Sequence, residues 1–587
     1  VSKPYYFVGY WGIGSQYNLP GMLADALKVA ARGEMPQCFR WETQPECWGI
    51  AYIDAGAVPS PPANGEGVIA SVSASGLPDE SDAWVKVKNH HLILGREPFG
   101  RVPLYWMQQG QVIWFASRLQ LLLPLIQTPQ VNLAGLYGYS CFSYVPTPLT
   151  PVEGIFALSA ATEQTWLRSQ DSLTATARTL HQWHSAPVTM GEEAEATRHL
   201  QTLLKNAVQR QLEHLPSEPV GVFLSGGLDS STVAALLVQA GVKVRAYTLD
   251  FGAAGVSELH YAEQVAQYLQ IPLVKVAATP RRIQQALTAT ATALDLPFGD
   301  GVTVPLYLLC QAASQETAVI FNGENGDQLF AGWTNKPLIA AGIYNRLHSE
   351  GQEDFTQQYL RTFHRLYGYE RKVFQPAVWE QIRQLDPNVW LHDALDPTFC
   401  DRLFDRFRRA TLMLKGAQNI QPRATNLARA HGLMVRSPFC DLPLTQWAFQ
   451  LPGELCLKHS CEKYILKRAA ESWLPPEIVW REKRGMGVPL TEWCLNQLWW
   501  EVGRWLNPGI LDAEGRWQPQ LVWQLLKGEL GVQLRGRRIG EILWLLLMWQ
   551  VWRTQVLGDR ASGATWWHPF WLSPQLWQWY WRSQNKG

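Results

Sequence analysis

The stretch that most constrains this chain is 221-GVFLSGGLDSSTVAALLVQAG-241. A short apolar run reads as a strand, a longer one at helical spacing reads as a helix, and Ser-Gly-Gly-Leu-Asp-Ser-Ser lies at the handover. Glycines there let the backbone turn where other residues cannot and let a ligand come close. The helix that follows offers free N–H groups and the positive end of its dipole, a ready anion site. Ser225, Ser230 and Ser231 add hydroxyl donors. Asp229 would repel a bare phosphate, so its presence implies a divalent cation that the phosphate also binds. No Lys-Ser/Thr pair follows the glycines, which excludes the usual P-loop. Taken alone, the stretch is equally well read as a capped helix after a tight turn.

A second stretch changes that balance. The strand 318-AVIFNG-323 runs into 324-ENGDQLFAGW-333, supplying Asp327 as a second metal ligand and Glu324 as a candidate base. Between and around the two loops, helices and strands alternate. The pattern predicts helix 195–215, strand 220–224, a helix from about Ser230, strand 243–251, helix 258–270, strand 273–277, helix 303–315 and strand 318–323. Such alternation implies a parallel sheet with ligands at the carboxyl ends of its strands. Two acidic, glycine-rich strand ends on one crevice suit a Mg²⁺–nucleotide site, because Mg²⁺ takes one or two carboxylates together with phosphate oxygens.

Five hundred and eighty-seven residues exceed one hydrophobic core, so two domains are expected, 1–190 and 191–587. Residues 1 to about 170 read as β-rich, 169–197 as a polar linker, and about 335–587 as mostly helical and heavy in Trp. A formal net charge of +1 gives no basic field for nucleic acid. The apolar run 542-ILWLLLMWQVW-552 is too short to span a bilayer and is expected to be a buried helix. The first residues carry no secretory signal pattern, and the nine cysteines contain no CxxC pair. The expectation is a cytoplasmic protein without disulfides or a zinc site.

SGGLDSS resembles the pyrophosphate-binding loop of the asparagine synthetase family, which includes the β-lactam synthetases and the cyclases that close lasso peptides. The stretches 297-PFGDGVTVPLYLL-309, 322-NGENGDQLFAGW-333, 431-HGLMVRSPFCDLPL-444, 462-EKYILKRA-469 and 480-WREKRGMGVPLTEW-493 follow in the family's order. Upstream, 95-GREPFGRVPLYW-106, 115-FASRLQLLL-123 and 143-SYVPTPLT-150 look like the late part of its amidotransferase-like domain. The resemblance implies an N-terminal glutaminase-like (Ntn-type) β-sandwich with helices and a C-terminal parallel-sheet ATP-pyrophosphatase domain with extra helices. It implies that ATP adenylates a carboxylate, pyrophosphate leaves, and a nitrogen nucleophile displaces AMP. Ser225, Gly226, Gly227, Asp229, Ser230 and Ser231 match the phosphate loop, and Asp229 and Asp327 match the Mg²⁺ positions. Leu224, Leu249 and Gly323 sit where backbone groups meet the adenine and ribose. Lys483 matches the lysine that stabilises charge as the acyl-adenylate forms and breaks down, and Glu324 lies beside the substrate as the candidate base.

The departures are informative too. Glutamine-using members need a Cys at the mature N-terminus. Here the chain opens VSKPYYFVGYWG, its first cysteine is Cys38, and 32-RGEMP-36 is a poor remnant of a glutamine-holding segment. The first domain is therefore expected to keep the fold without its chemistry. Met434 replaces a common Glu, as a substrate wall or a core substitution, and Gln328 replaces the Glu that usually follows the metal Asp. A synthetase without a glutaminase needs a nucleophile that arrives on the substrate, as in macrolactam closure of a lasso precursor. Glu324 in place of the Tyr associated with β-lactam formation, and the Trp surplus, incline the reading towards a peptide cyclase. A precursor peptide, a leader-binding protein and a leader peptidase are the partners that reading implies. The alternatives are an ammonia-dependent asparagine synthetase-like or β-lactam synthetase-like enzyme, and a binding scaffold without activity.

Overall fold

The computed structural model describes residues 6–12, 19, 21–24, 48–53, 67–77, 80–88, 90–169, 172–185, 192–252, 258–332, 355–459, 461–481, 487–530, 537–560 and 569–577. The first half is a sandwich of two antiparallel sheets. Its strands are β1 (Tyr6–Gly12), β2 (Trp48–Ile53), β3 (Gly67–Val72), β4 (Ala83–Lys88), β5 (His91–Arg96), β6 (Tyr105–Gln109), β7 (Val112–Ala116), β8 (Ile155–Ala157), β9 (Thr162–Arg168) and β10 (Leu173–Thr179). One sheet runs β2-β1-β7-β6-β8 and the other β10-β9-β5-β4-β3. Side chains such as Phe7, Trp11, Ile50, Val85, Leu94, Phe115 and Trp166 close the space between the sheets. Period-two alternation in strands such as 83-AWVKVK-88 sends one face inward.

Two features of this half differ from the sequence reading. The helix Leu133–Phe142 was not foreseen in a region read as β-rich. Residues 173–179, read as part of a polar linker, form β10, which pairs along its whole length with β9. It is an edge strand, paired on one side and exposed along almost its whole length, so its Thr-rich sequence lacks the apolar alternation that marks a strand.

The second half is built on five parallel strands, β11 (Val220–Phe223), β12 (Val244–Asp250), β13 (Leu273–Ala277), β14 (Val319–Phe321) and β15 (Met434–Arg436). Their order is β13-β12-β11-β14-β15. The helices Glu193–Leu212, Leu228–Gln239, Leu259–Leu269 and Thr303–Ala313 match the predicted alternation, whereas Pro280–Ala293 was not foreseen. From β11 the chain steps outward to β12 and β13, then crosses back to β14 on the other side. A crevice opens at such a reversal, outside the carboxyl ends of the strands. Between β14 and β15 lies a helical excursion that includes Phe355–Phe363, Leu403–Ala410, a π-helical stretch Thr411–Ile420 and Gln421–Arg429.

Residues 542–552 form the buried end of the helix Arg537–Trp552, as expected. Among the described residues no helix is long and apolar enough to cross a membrane. The tryptophans of the C-terminal part are mostly core: Trp493, Trp499, Trp517, Trp544, Trp549 and Trp552 are all fully buried. The halves meet along β15, where the Val435 N–H donates to Ala74 O at 2.8 Å. Arg436, fully buried, donates to Ser75 O (3.2 Å), Glu213 O (3.0 Å) and Gln211 O.

Candidate active site

The loop after β11 is held in shape by its own small residues. Gly226 has φ +71°, and a Cβ there would sit 2.5 Å from the Ala262 nitrogen, so only glycine fits. The Ser225 hydroxyl accepts from the Gly227 N–H at 3.2 Å, and the Ser230 hydroxyl donates to Gly227 O at 3.2 Å. Gly227 is the N-cap of Leu228–Gln239, which places Asp229 in the first turn of that helix. The loop after β14 lies against it, because Gly323 has no side chain; a Cβ there would meet the Ser230 nitrogen at 2.6 Å. Asn325 adopts the left-handed conformation (φ +83°), which Asn tolerates better than most residues, and its side-chain amide donates to Phe439 O at 2.9 Å.

Both predicted metal carboxylates converge, and they do so on Lys463. Its ammonium pairs with Asp229 Oδ2 and lies 2.5 Å from Asp327 Oδ1, with only 3% of the side chain exposed. Burial opposes the charge on Lys463, but the two carboxylates outweigh it and hold its pKa well above the ordinary lysine range. An ammonium there does electrostatically what a cation bridging two carboxylates does. The donor set is hard oxygen, and no group of three or more His, Cys, Asp or Glu is found among the described residues. Two carboxylates with room for phosphate oxygens fit Mg²⁺ and do not fit a closed protein cage. Glycines make that room: a Cβ on Gly326 would lie 2.7 Å from Asp229 Oδ1, and one on Gly332 2.0 Å from Asp327 Oδ1. Gly332→Ala is therefore expected to push Asp327 and Lys463 apart and abolish nucleotide-dependent activity with the far-ultraviolet circular dichroism unchanged. Normal nucleotide affinity in that variant would contradict the packing argument.

These groups open into one cavity of about 630 Å³, within the range of ligand sites. Of the candidate site residues, Leu224, Ser225, Gly227, Asp229, Ser230, Leu249, Gly323, Glu324 and Asp327 all line it. Ser231 does not; it is fully buried one residue further along the helix, facing the core. Gly226 shapes the turn from behind without lining the cavity. Lys483, and with it Cys38 and 32-RGEMP-36, lie outside the described residues, but Arg481 and Gly487 to either side of Lys483 line the cavity. Met434 is buried on β15 and pairs with Val319, so it is a core residue and not a substrate wall. Gln328 lines the cavity. The aromatic lining is Phe and Tyr, with no Trp among the described lining residues, so the described tryptophans lend no support to a larger substrate.

Burial raises the Glu324 carboxyl above its ordinary pKa; Arg423 opposes the shift, and Asp327 and Asp229 add to it. A carboxyl shifted upward is better matched to accept a proton from an amine near neutral pH. Lys463 and Arg481 were not singled out from the sequence. Arg481 stacks over the Tyr261 ring at 4.1 Å and would lie 3.8 Å from a Cβ on Gly227 in the phosphate loop. Their signal was the motifs 462-EKYILKRA-469, from which no residue was singled out, and 481-REK-483, where Lys483 drew attention instead.

Residues 199–554 match the asparagine synthase family, and residues 83–177 match the glutamine amidotransferase domain. Asparagine synthetase [glutamine-hydrolyzing] 1 of Bacillus subtilis (strain 168) is 25% identical over 493 residues, covering 80% of this chain and 76% of the relative. A putative asparagine synthetase [glutamine-hydrolyzing] of Mycobacterium tuberculosis is 25% identical over 429 residues, covering 68% of this chain and 65% of that protein. Asparagine synthetase [glutamine-hydrolyzing] of Homo sapiens is 26% identical over 324 residues, covering 53% and 46%. Among solved structures, the NH3-dependent NAD synthetase from Campylobacter jejuni aligns at 17% identity over 36% of this chain and 94% of its own, with a TM-score of 0.19, too low to carry an inference. The family match spans more than half of the sequence and contains both loops of the cavity, so the chain belongs to the asparagine synthase family, whose chemistry is ATP-dependent amide bond formation.

Proposed function

We propose that this chain uses Mg²⁺-ATP to adenylate a substrate carboxylate and joins it to an amine of the same molecule, closing a macrolactam as in lasso peptide cyclisation. The observation that carries the nucleotide part is the convergence of Asp229 and Asp327, from two strand ends, on one buried cation beside the phosphate loop. Ser225, Gly227 and Ser230 would hold phosphate oxygens at the first turn of Leu228–Gln239, where N–H groups and the helix dipole favour negative charge. Asp229 and Asp327 would hold Mg²⁺, which when bound neutralises charge gathering on the leaving pyrophosphate. Lys463 and Arg481 bring fixed positive charge to the same place, where removal from water makes it count for more.

Glu324 then serves the second step. It lies in the same loop as Asp327 and faces the cavity, where it would accept the proton of the attacking amine. Holding carboxylate and amine in one molecule makes the amide-forming step intramolecular, worth up to roughly 7–11 kcal/mol in well-oriented cases. The Phe and Tyr lining gives an apolar side chain somewhere to sit, which supports a peptide over a small polar acid. A second reading, delivery of ammonia from glutamine, is favoured by the amidotransferase match and by the names of the relatives.

The test is pyrophosphate exchange into ATP, followed by product analysis with three nitrogen sources: ammonium, glutamine and an amine on the acid itself. Amide formation only from glutamine or ammonium would overturn the cyclase reading and leave the ligase reading standing. Glu324→Gln is expected to retain exchange while slowing amide formation about 10²-fold, the size typical of a lost general base. The base must be deprotonated, and its pKa is raised, so the wild-type rate should fall as pH drops through a value above the ordinary carboxylate range. Glu324→Gln should lose that acid limb, and an unchanged pH profile would remove Glu324 from the step.

A further inference from the structure

Charges around the cavity are paired with two exceptions. Lys463 holds Asp229 and Asp327, Lys467 lies 3.6 Å from Glu462, and Arg481 lies 3.9 Å from Glu258. Arg423 pairs with Asp300, and Arg365 lies 2.8 Å from Glu541. The cavity-lining charges that make no contact ion pair among the described residues are Glu324 and Lys415, and Lys415 reaches Glu324 only through a longer-range attraction that opposes the rise of its pKa. Glu324 has a use in the proposed reaction; Lys415 has none beyond that distant effect on Glu324.

Lys415 is exposed and sits in the π-helical stretch Thr411–Ile420. Hydrogen bonds in such a stretch reach from i to i+5, so its turn is wider than that of an α-helix, and π-helical turns cluster at functional sites. The wider turn keeps residues four apart in file, and Thr411, Lys415, Asn419 and Arg423 all line the cavity. Arg423 is fixed by Asp300 and by Asn419 Oδ1 at 2.8 Å, which leaves Lys415 as the cation of the file with no carboxylate in contact among the described residues. The aromatic lining comes from two sources. Tyr359 packs against Phe363 (4.9 Å between ring centres) and Phe407 (5.6 Å), while Phe142 and Tyr144 (5.7 Å) come from the N-terminal half. Ser143 between them is anchored by its carbonyl, which accepts from the Gly299 N–H at 2.8 Å.

We propose that Lys415 determines substrate specificity by binding an anionic group other than the carboxylate being activated, with an aromatic or branched apolar body seated on the Phe and Tyr wall. The assignment rests on the amide-ligase reading above. A carboxylate loses its charge when it is activated, so only a second anion can hold Lys415 through both steps. The N-terminal half thereby gains a part in the substrate wall, as the bearer of Phe142 and Tyr144.

The test is calorimetric titration of the whole chain, with Mg²⁺ and α,β-methylene-ATP present, using two acids of similar shape. Phenylsuccinate carries a second carboxylate, and 3-phenylpropanoate does not. Wild type is expected to bind phenylsuccinate about tenfold tighter, the effect of one hydrogen-bonded charge pair. Lys415→Ala should lose that preference with nucleotide affinity unchanged, and Lys415→Arg should keep it. Nucleotide binding without the preference in wild type, or with the preference intact in Lys415→Ala, would overturn the role of Lys415 alone. Absence of nucleotide binding by the wild type would overturn the ligase reading and take this assignment with it.

Discussion

Asp229→Asn and Asp327→Asn are each expected to lower pyrophosphate exchange by about 10²–10³-fold, the loss typical of removing one fixed electrostatic stabiliser from a dry site. Asparagine keeps the shape and a hydrogen-bonding oxygen but cannot carry the charge that a divalent cation needs. Each single variant should fold, because Lys463 keeps one carboxylate partner. The double variant is a different case. It strips both carboxylates from an ammonium with 3% of its side chain exposed. Breaking a buried ion pair by removing one side costs about 3–5 kcal/mol, so the double variant should melt well below either single one. Full exchange activity in either single variant would break the assignment of the metal carboxylates. A double variant as stable as wild type would mean that Lys463 relaxes into solvent when released.

The largest effect on stability is expected at Arg436. Its guanidinium donates to carbonyls of Ser75, Gln211 and Glu213, tying the N-terminal sandwich to the helix Glu193–Leu212 through the edge of the parallel sheet. Arg436→Met would nearly conserve volume but leave those carbonyls without their donor. Buried acceptors without a partner cost about 1–3 kcal/mol each, so a loss of about 3 kcal/mol or more is expected. The measurement is the thermal midpoint together with limited proteolysis between residues 172 and 192. Faster cleavage there would report separation of the two halves, whereas an unchanged midpoint and cleavage rate would show that the surrounding apolar contacts suffice.

How much of this was readable beforehand depended on the range of the interaction. The strand–loop–helix at 220–239 was legible because every signal is local: glycines at the turn, hydroxyls and a carboxylate at the helix start, apolar spacing on both sides. The strand Leu273–Ala277 fell where the pattern placed it, for the same reason. Strand β10 was missed because an edge strand exposed on both faces needs no apolar alternation. The helix Leu133–Phe142 was missed because it is apolar almost all round, and a helix buried on every side has no amphipathic stripe to reveal it.

By itself the sequence determined the parallel-sheet core, the two acidic loops at strand ends, and the class of chemistry those loops can serve. Local backbone preference and side-chain chemistry suffice for such features. Only the tertiary structure decided which cation meets the two aspartates. Lys463 lies more than a hundred residues beyond Asp327, delivered by a left-handed turn (φ +55°) after a two-strand ribbon. It alone decided that Ser231 faces the core, that Met434 belongs to the sheet, and that Phe142 and Tyr144 of the first half line the cavity of the second. These are outcomes of packing between segments far apart in the chain, where burial and the pairing of charge in a confined space choose among partners that no local pattern distinguishes.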